Sequence, residues 1–214
     1  EEMGLPYDTV LVDRATKAHK SAAYLKLNPN GLIPVLETSQ GPLFETAAIL
    51  LWLADTNGRM APAPDSPDRA PVLKWLFFLS NTLHPALRMV FYPDQYVGDD
   101  KPARAALHHH MKGEIARHLD TLEALAATRP GWLGGDALSI LDVYLVPMLR
   151  WIPLDSPSPD RAGWFDLAQW PHLHAIAARL EHSAAAQAAI KAEGLGPAPF
   201  TDPQYPNPPE GSVT

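Results

Sequence analysis

A strand containing proline, followed closely by the start of a helix, constrains this chain most and lies within residues 28–53. A turn cluster at residues 28–31 precedes the apolar run at 33–36, and Pro34 in that run has no N–H group to offer a strand ladder. We therefore expect Pro34 at the beginning or the edge of a strand, where a cis Ile33–Pro34 bond also fits. The main-chain groups of Ile33 would then be open to an outside partner.

The next residues predict a hairpin and then a helix. A second turn cluster at residues 38–42 is followed by the short apolar pair at 43–44. Glu45 and Thr46 come directly before the apolar run 47–53, so an acid and a hydroxyl lie in the first turn of the predicted helix. Free N–H groups and the helix dipole favour an anion at that position.

The composition limits the class of protein. A content of 46% hydrophobic and 19% charged residues predicts a globular protein with a sizeable core. A formal charge of −7 argues against nucleic acid or an anionic membrane as a partner, because both favour clustered Lys and Arg. The absence of cysteine excludes disulfides and thiolate metal sites within these residues and is typical of a reducing compartment. With no long apolar run and no leader pattern, we expect a cytoplasmic protein that does not enter a membrane.

The segment before residue 28 is predicted to add one more strand. Residues 1–6 read as the end of a helix, with Gly4 as the left-handed stop. Residues 7–12 alternate well enough to predict a strand. The polar residues 13–20 predict a loop, and a short helical segment is expected at 21–26.

A proline-rich break divides the chain into two parts. Residues 58–69 hold several prolines among small side chains that cannot build a core, so we expect a linker there. After it, apolar residues at near-helical spacing predict long helices at 71–92, with a kink at Pro85, and at about 100–128, and a further helix at 170–182.

Another long helix is predicted to begin with a capping box. In the sequence Ser-Ile-Leu-Asp at residues 139–142, the Ser139 side chain can accept from the N–H of the third helical residue. The Asp142 carboxylate can reach back to the N–H of the serine. Residues 140–148 are apolar almost all round, which predicts the central helix of its domain. We therefore interpret Ser139 and Asp142 as structural capping residues and not as catalytic ones.

Two segments lack periodicity. Residues 155–163, rich in proline and serine, predict a loop. Residues 195–214 contain six prolines and predict either an extended chain on the surface or a disordered tail.

Three residues on the predicted second long helix, His110, Glu114 and His118, are spaced by four and share one face. Such a face could bind a metal ion, and the alternative is a solvated or intersubunit face. We predict no metal site.

The residues from Asn28 onward resemble those of a known family. The order Asn-Pro-x-Gly-x-Ile-Pro-Val-Leu, a hairpin, Phe-Glu-Thr-x-Ala-Ile and Leu-Trp-Leu-Ala is similar to the glutathione-binding half of cytosolic glutathione S-transferases, theta- or nu-like bacterial members in particular. Gly134, Ser139 and Asp142 match the capping motif of that family's helical domain.

The resemblance implies an α/β plus all-α fold, with a thioredoxin-like N-terminal domain and an all-helical C-terminal domain. The expected parts are a glutathione-binding domain at 1–57 that lacks its first strand and most of its first helix, a linker at 58–69, a helical domain at 70–194 and a proline-rich tail at 195–214.

The resemblance also implies a glutathione site. Ile33, next to Pro34, would pair its main chain with the cysteinyl residue of glutathione. Thr46 would hold the γ-glutamyl carboxylate, and Glu45 the α-ammonium group. His19 lies where theta-like members bind the glycine carboxylate, although a solvated loop histidine is the alternative.

One position departs from the family, and three others suggest a second subsite. Leu32 stands where theta-like members carry lysine, and an aliphatic side chain cannot form a charge-assisted bond to the glycine carboxylate. His84, Arg88 and Tyr92 lie on the first long helix, which lines the electrophile pocket in the family. Core or interface packing is the alternative for each of them.

The implied reaction is the transfer of glutathione, as co-substrate, to a small hydrophobic electrophile, without a metal. In the family the residue that activates the thiol lies in a segment that we expect upstream of Glu1, so no catalytic residue is assigned. A homodimer packed across the first two long helices is implied as well. The alternatives are a non-catalytic binding or regulatory protein of the same fold, and a glutathione-dependent reductase, isomerase or ether-cleaving lyase.

Overall fold

One β-hairpin and a series of helices form the part of the chain that the computed structural model describes, residues 1–154 and 164–207. The predicted loop at 155–163 and residues 208–214 of the tail lie outside the described residues. The strands are β1 (Val35–Thr38) and β2 (Gly41–Phe44). The helices are α1 (Ala22–Leu27), α2 (Thr46–Asn57), α3 (Arg69–Phe78), α4 (His84–Phe91), α5 (Asp94–Val97), α6 (Lys101–Ala127), α7 (Ile140–Trp151), α8 (Pro171–Glu181) and α9 (Ala184–Glu193). Short 3-10 turns lie at Ala18–Lys20, Ile152–Leu154 and Leu167–Gln169.

The two strands form the hairpin that the turn cluster predicts. They pair antiparallel, from Val35 opposite Phe44 to Thr38 opposite Gly41. The Thr38 hydroxyl donates to the Gly41 carbonyl at 2.8 Å, and Gly41 has a φ of 113°. A left-handed conformation of this kind favours glycine, which explains the residue at the turn.

The predicted strand at residues 7–12 is wrong. These residues carry no regular secondary structure, and their apolar side chains face solvent, with Val10 80% exposed. An alternating pattern forms a strand only where a neighbouring strand satisfies its N–H and C=O groups. Within the described residues, β1 and β2 pair only with each other.

The first long helix is interrupted where the sequence predicts a kink. α3 leads into a single π-helical turn, Leu79–Leu83, and α4 then continues to Phe91. The His84 N–H donates to the Leu79 carbonyl, five residues back. Pro85 has no N–H for the carbonyl four residues before it, so a regular α-helical bond cannot form there.

α7 is the central helix of the core, as its composition predicts. Its apolar side chains are buried on nearly every side and pack with residues of the other long helices. Both halves of the capping box are present: the Ser139 side chain accepts from the N–H groups of Leu141 and Asp142, and the Asp142 carboxylate accepts from the N–H of Ser139. Asp100 caps α6 in the same manner by accepting from the N–H of Ala103.

Hydrogen bonds at both ends of the connection after α2 join the first half of the chain to the helical half. Arg69 at the start of α3 forms two hydrogen bonds, of 2.7 and 2.6 Å, with the carboxylate of Asp55 in α2. Between these helices, the Met60 carbonyl accepts from the N–H of Ile140 at the start of α7. These contacts fix the position of α2 against the helical core.

The described part of the tail, residues 195–207, follows the surface in irregular conformation. Buried Arg150 of α7 donates to the carbonyls of Pro199 and Gln204, at 2.9 and 2.6 Å. The buried Glu181 carboxylate at the end of α8 accepts from the N–H of Phe200 and from the N–H and hydroxyl of Thr201. Two charged side chains thus hold this segment by its main chain.

In the described parts of the chain, no helix combines the length and the apolar character needed to cross a membrane.

Candidate functional site

The loop before Pro34 is held in place by side chains of the preceding helix. Tyr24 of α1 and the buried Asn28 both donate to the Leu32 carbonyl, each at 2.8 Å. Asn28 also accepts from the N–H of Asn30. One carbonyl with two donors fixes the chain direction immediately before Ile33.

Ile33 presents its main chain to the outside. The Ile33–Pro34 bond is cis, and Ile33 is 47% exposed. Neither main-chain group of Ile33 forms a hydrogen bond within residues 1–154 and 164–207. β1 begins at Val35, so this pair lies directly before the hairpin ladder, and its polar groups are open to a short extended segment.

His19 lies on the 3-10 turn that packs against the same loop. Gly31 has a φ of 59°, and a Cβ atom at this residue would lie 2.8 Å from the His19 carbonyl oxygen. The Lys20 ammonium group donates to the Asn30 carbonyl at 3.1 Å. The Nδ1 atom of His19 is buried and has no hydrogen-bond partner in the described structure. The loop therefore brings His19 close to the residues that precede Ile33.

The first turn of α2 is free of side-chain caps. Glu45 at the N-cap position has a φ of 72° and forms no cap hydrogen bond, and Thr46 is the first helical residue. The Glu45 side chain is exposed and forms no ion pair within the described residues. The N–H groups of this turn are therefore available to an anion, with a hydroxyl beside them.

Tyr144 lies near Glu45, at the start of α2, and contacts His84. It lies on α7, is only 5% exposed, and its hydroxyl is 3.0 Å from the Nδ1 atom of His84 on α4. Burial, with a smaller contribution from the nearby Glu45 carboxylate, raises the pKa of Tyr144 to about 12. Burial also lowers the pKa of His84, and the charge of Arg88 lowers it further. A neutral imidazole on α4 and a protonated phenol on α7 thus face each other within the helical half of the chain.

The remaining predicted residues of the electrophile pocket lie one and two turns beyond His84. Arg88 stacks over the ring of Tyr92, with its guanidinium carbon 5.6 Å from the ring centroid. Arg14, in the loop before α1, donates to the Tyr92 hydroxyl at 3.5 Å. The ring of Trp151 lies 5.5 Å from that of His84.

Sequence reasoning missed Tyr144, Trp151 and Arg14. Tyr144 and Trp151 lie on α7, whose nearly uniform apolar character predicts only a core helix. Arg14 is part of a polar loop, and its contact with Tyr92 spans 78 residues of sequence. Only Tyr144 carries a possible signal, since a phenol in a buried helix needs a hydrogen-bond partner.

Asp142 has the structural surroundings expected of a capping residue. It is 0% exposed and accepts from the N–H groups of Gly134 and Ser139, both at 2.8 Å. Burial raises the pKa of Asp142, while these hydrogen bonds and the charge of Arg179 oppose that shift. Both hydrogen bonds of its carboxylate lie within its own loop, and no residue of the candidate site takes part in them.

Two other features lie apart from this site. A cavity of about 560 Å³ contains none of the predicted site residues and is lined by Glu2, Arg59, Met60, Asp136, Ala137, Leu138, Arg179, His182 and Ser183. On α6, Glu114 pairs with Arg117, and His118 is buried against Phe78. Within the described residues no three His, Cys, Asp or Glu side chains form a group that could hold a metal ion.

Comparison with known proteins identifies the family. A family model described as the N-terminal domain of glutathione S-transferase matches residues 1–56, and one described as the C-terminal domain matches residues 102–179. The glutathione S-transferase GST-4.5 of Xanthomonas campestris is 33% identical over 193 residues, which cover 89% of each chain. A maleylpyruvate isomerase of Ralstonia is 29% identical and covers 81% of this chain and 79% of its own.

A solved structure extends the similarity to the fold. A sphingomonad glutathione S-transferase, determined in complex with glutathione, is 33% identical and has a TM-score of 0.70; the match covers 91% of this chain and 90% of that one. These findings confirm the predicted fold class, a thioredoxin-like N-terminal domain followed by an all-helical one. The two family models together match more than half of the chain. The chain therefore belongs to the glutathione S-transferase family.

Proposed function

We propose that this protein is a glutathione transferase, which joins the thiol of glutathione to a small hydrophobic electrophile. The curated relative in Xanthomonas is named a glutathione S-transferase, and the sphingomonad relative binds glutathione in its structure. One observation carries the proposal for this chain. The N–H and C=O groups of Ile33 have no hydrogen-bond partner among the described residues, and they lie beside the start of α2, which no side chain caps.

Glutathione is a short peptide, and Ile33 offers it two main-chain hydrogen bonds. The cysteinyl residue would add as a short extra strand at the edge where the hairpin ladder has not yet begun. Because the Leu32 carbonyl already has two donors, the loop is ordered before the ligand arrives. An ordered edge reduces the entropy cost of binding.

The ends of the tripeptide carry charge, and the site offers groups for them. Thr46 can hold the γ-glutamyl carboxylate through its N–H and hydroxyl, where the dipole of α2 adds to the attraction. Glu45, which has no competing ion pair among the described residues, can pair with the α-ammonium group. His19 is our candidate for the glycine carboxylate, and the buried, unpartnered Nδ1 atom supports a ligand role.

The helical half supplies the wall on which the electrophile lies. The rings of His84 and Trp151, 5.5 Å apart, form an aromatic surface, and His84 contacts Tyr144, which lies near Glu45. The thiol of a free cysteine has a pKa of about 8.5, and a decrease of about two units raises the thiolate fraction near neutral pH from a few per cent to a majority. Holding the electrophile beside that thiolate is the contribution expected of this wall.

Thr46→Ala tests the glutathione site directly. We expect the affinity for glutathione, measured by isothermal titration calorimetry, to fall about tenfold to a hundredfold, because one hydrogen bond to a carboxylate is lost. Thr121→Ala, on the exposed side of α6, removes the same hydroxyl away from the site and should leave the affinity unchanged. Equal affinities for the two variants would remove Thr46 from the site.

An isomerase is the second candidate, because the Ralstonia relative carries that name. An isomerase would regenerate glutathione, whereas a transferase consumes it, so mass analysis of the products separates the two. A binding protein without turnover is the third reading, supported by Leu32 at a position where theta-like members carry lysine. It would bind glutathione and form no product.

We also propose a homodimer packed across α3, α4 and α6. Phe77 on α3 is 54% exposed, and Trp75 and Phe78 form an edge-to-face aromatic pair beside it. A large apolar side chain on an ordered helix supports an interface at this position. In analytical ultracentrifugation, the wild-type protein should sediment as a dimer and Phe77→Glu as a monomer.

The division into domains at residues 58–69 and a cytoplasmic location are also part of our proposal.

A further inference from the structure

Two guanidinium groups meet at the ring of Tyr92. Arg88 lies over the ring at 5.6 Å, and Arg14 donates to the hydroxyl at 3.5 Å. Arg14 comes from the loop before α1, whereas Arg88 and Tyr92 come from the end of α4. The two halves of the chain therefore each contribute one cation to the same place.

Neither of these arginines is neutralised by an acid in residues 1–154 and 164–207. The other polar contact of Arg88 is the neutral side chain of Gln95, at 3.2 Å. The nearest acid in sequence to Arg14, Asp13, accepts instead from the N–H groups of Ala15 and Thr16. Other arginines do have acidic partners: Arg69 with Asp55, Arg104 with Asp99 and Arg117 with Glu114. On a chain with a net charge of −7, two unpaired cations at one ring form a distinct positive site.

A series of contacts relates this pair to the γ-glutamyl end of the proposed glutathione site. His84, Arg88 and Tyr92 are spaced by four and share one face of α4. The charge of Arg88 contributes to the low pKa of His84, so the guanidinium lies close to the imidazole. His84 in turn contacts Tyr144, which lies near Glu45.

We propose that the electrophile carries a carboxylate, which Arg88 binds together with Arg14 at the mouth of the electrophile pocket. This inference rests on the glutathione transfer proposed above and adds the class of its second substrate. An arginine fork matches a carboxylate with two parallel hydrogen bonds, and the ring of Tyr92 holds the guanidinium groups in place. The remaining, apolar part of such a substrate would lie toward His84 and Trp151.

The reaction that suits this arrangement is addition to an activated double bond. The glutathione thiolate forms a bond from its sulfur to the β-carbon of an alkene conjugated with a carbonyl group, and the π bond breaks toward the carbonyl oxygen. The enolate then takes one proton from water at the α-carbon. No group leaves and nothing is oxidised or reduced. The arginines bind the carboxylate of the substrate and do not take part in bond making.

Ethacrynic acid and its methyl ester provide a matched pair of probes. Both carry the same reactive alkene, and they differ only in a remote carboxylate. We expect the wild-type protein to use the acid with the higher kcat/KM. Arg88→Gln should lower kcat/KM for the acid about tenfold to a hundredfold, the loss expected for a hydrogen bond to a charged group, and should leave the ester within about twofold. Arg88→Lys keeps the charge without the fork and should give an intermediate loss.

Control variants separate this effect from a loss of fold or of total charge. Arg14→Gln should also lower kcat/KM selectively for the acid, by a smaller factor because the residue is exposed. Arg117→Gln removes one positive charge from α6, outside the site, and should change neither probe. Glutathione affinity, measured by calorimetry for every variant, should equal that of the wild type.

Three outcomes would overturn the inference. Equal use of acid and ester by the wild-type protein would show that no carboxylate is recognised, and an equal loss for both probes in Arg88→Gln would show the same. A weaker affinity for glutathione in the arginine variants, with the acid-to-ester ratio unchanged, would assign the cations to the glycine carboxylate of glutathione. Failure of the proposed function would look different, since the wild-type protein would then bind no glutathione and form no conjugate with either probe.

Discussion

Removing the Asp142 carboxylate should destabilise the protein without touching its site. Its two oxygens accept from the N–H groups of Gly134 and Ser139, both at 2.8 Å, and the residue is fully buried. In Asp142→Ala both N–H groups lose their acceptor. An unsatisfied buried N–H costs about 1 to 3 kcal/mol, and the bond to Gly134 is only partly buried, so we expect a loss of about 2 to 4 kcal/mol in the free energy of unfolding.

The ion pair with Arg179 adds little to this estimate. The Nη2 atom of Arg179 lies 3.5 Å from the Asp142 carboxylate without forming a hydrogen bond, and the Arg179 side chain is 34% exposed. The separation of 3.5 Å and the partial exposure of the guanidinium side chain weaken the interaction. Asp142→Asn keeps the shape of the side chain and one acceptor oxygen. Its NH₂ group, however, faces one of the two N–H donors and cannot accept from it. We expect it to lose less stability than the alanine variant.

Urea unfolding followed by circular dichroism measures both variants. A loss of about 2 to 4 kcal/mol corresponds to a decrease in Tm of about 4 to 16 °C for a chain of this size. Asp136→Ala is the matched control, because this exposed acid lies in the same loop and its side chain forms no hydrogen bond with the rest of the described structure. If Asp142→Ala unfolds within about 0.5 kcal/mol of that control, the carboxylate does not hold the loop and the reasoning is wrong.

Three further predictions follow from buried groups and close contacts. Burial and the charge of Arg88 lower the pKa of His84 below 6.5 in the folded protein. As the pH falls through 6.5, the unfolded state therefore takes up more protons than the folded state. The free energy of unfolding should therefore decrease on acidification from neutral pH, and His84→Gln should remove part of that slope in urea titrations. Gly31→Ala should cost about 1 to 3 kcal/mol in the same assay, because its φ is positive and its Cβ would lie 2.8 Å from the His19 carbonyl oxygen. Glu181→Gln should release the segment that contains Phe200 and make it sensitive to limited proteolysis, whereas an unchanged digestion pattern would show that Arg150 holds it alone.

Features that depend on local contacts between a side chain and its own backbone could be predicted from sequence. The capping box of α7 and the Asp100 cap of α6 each involve residues two or three positions apart, so a short pattern contains all the partners. The hairpin was predictable for the same reason, because its turn residues lie between its strands. Pro85 marked the interruption of the first long helix because proline removes one specific donor.

Features that depend on distant partners could not be predicted in this way. Residues 7–12 have the alternation of a strand, but alternation does not supply a neighbour to pair with. Tyr144 reads as one more core residue, and its role depends on His84, 60 positions away. The tail is held by Arg150 and Glu181, whose helical contexts carry no sign that their charges serve a segment far along the chain.

The π turn at Leu79–Leu83 makes the spacing between α3 and α4 sensitive to the loss of a single residue. One residue more or fewer in α3 or α4 would turn the residues beyond it by about 100° relative to those before it. Arg69 anchors the first half to α2, while α4 packs on α6, so both contacts could not survive that rotation. Length variation among homologues should therefore be absent between residues 69 and 92 and should be tolerated at the exposed connection just after α5.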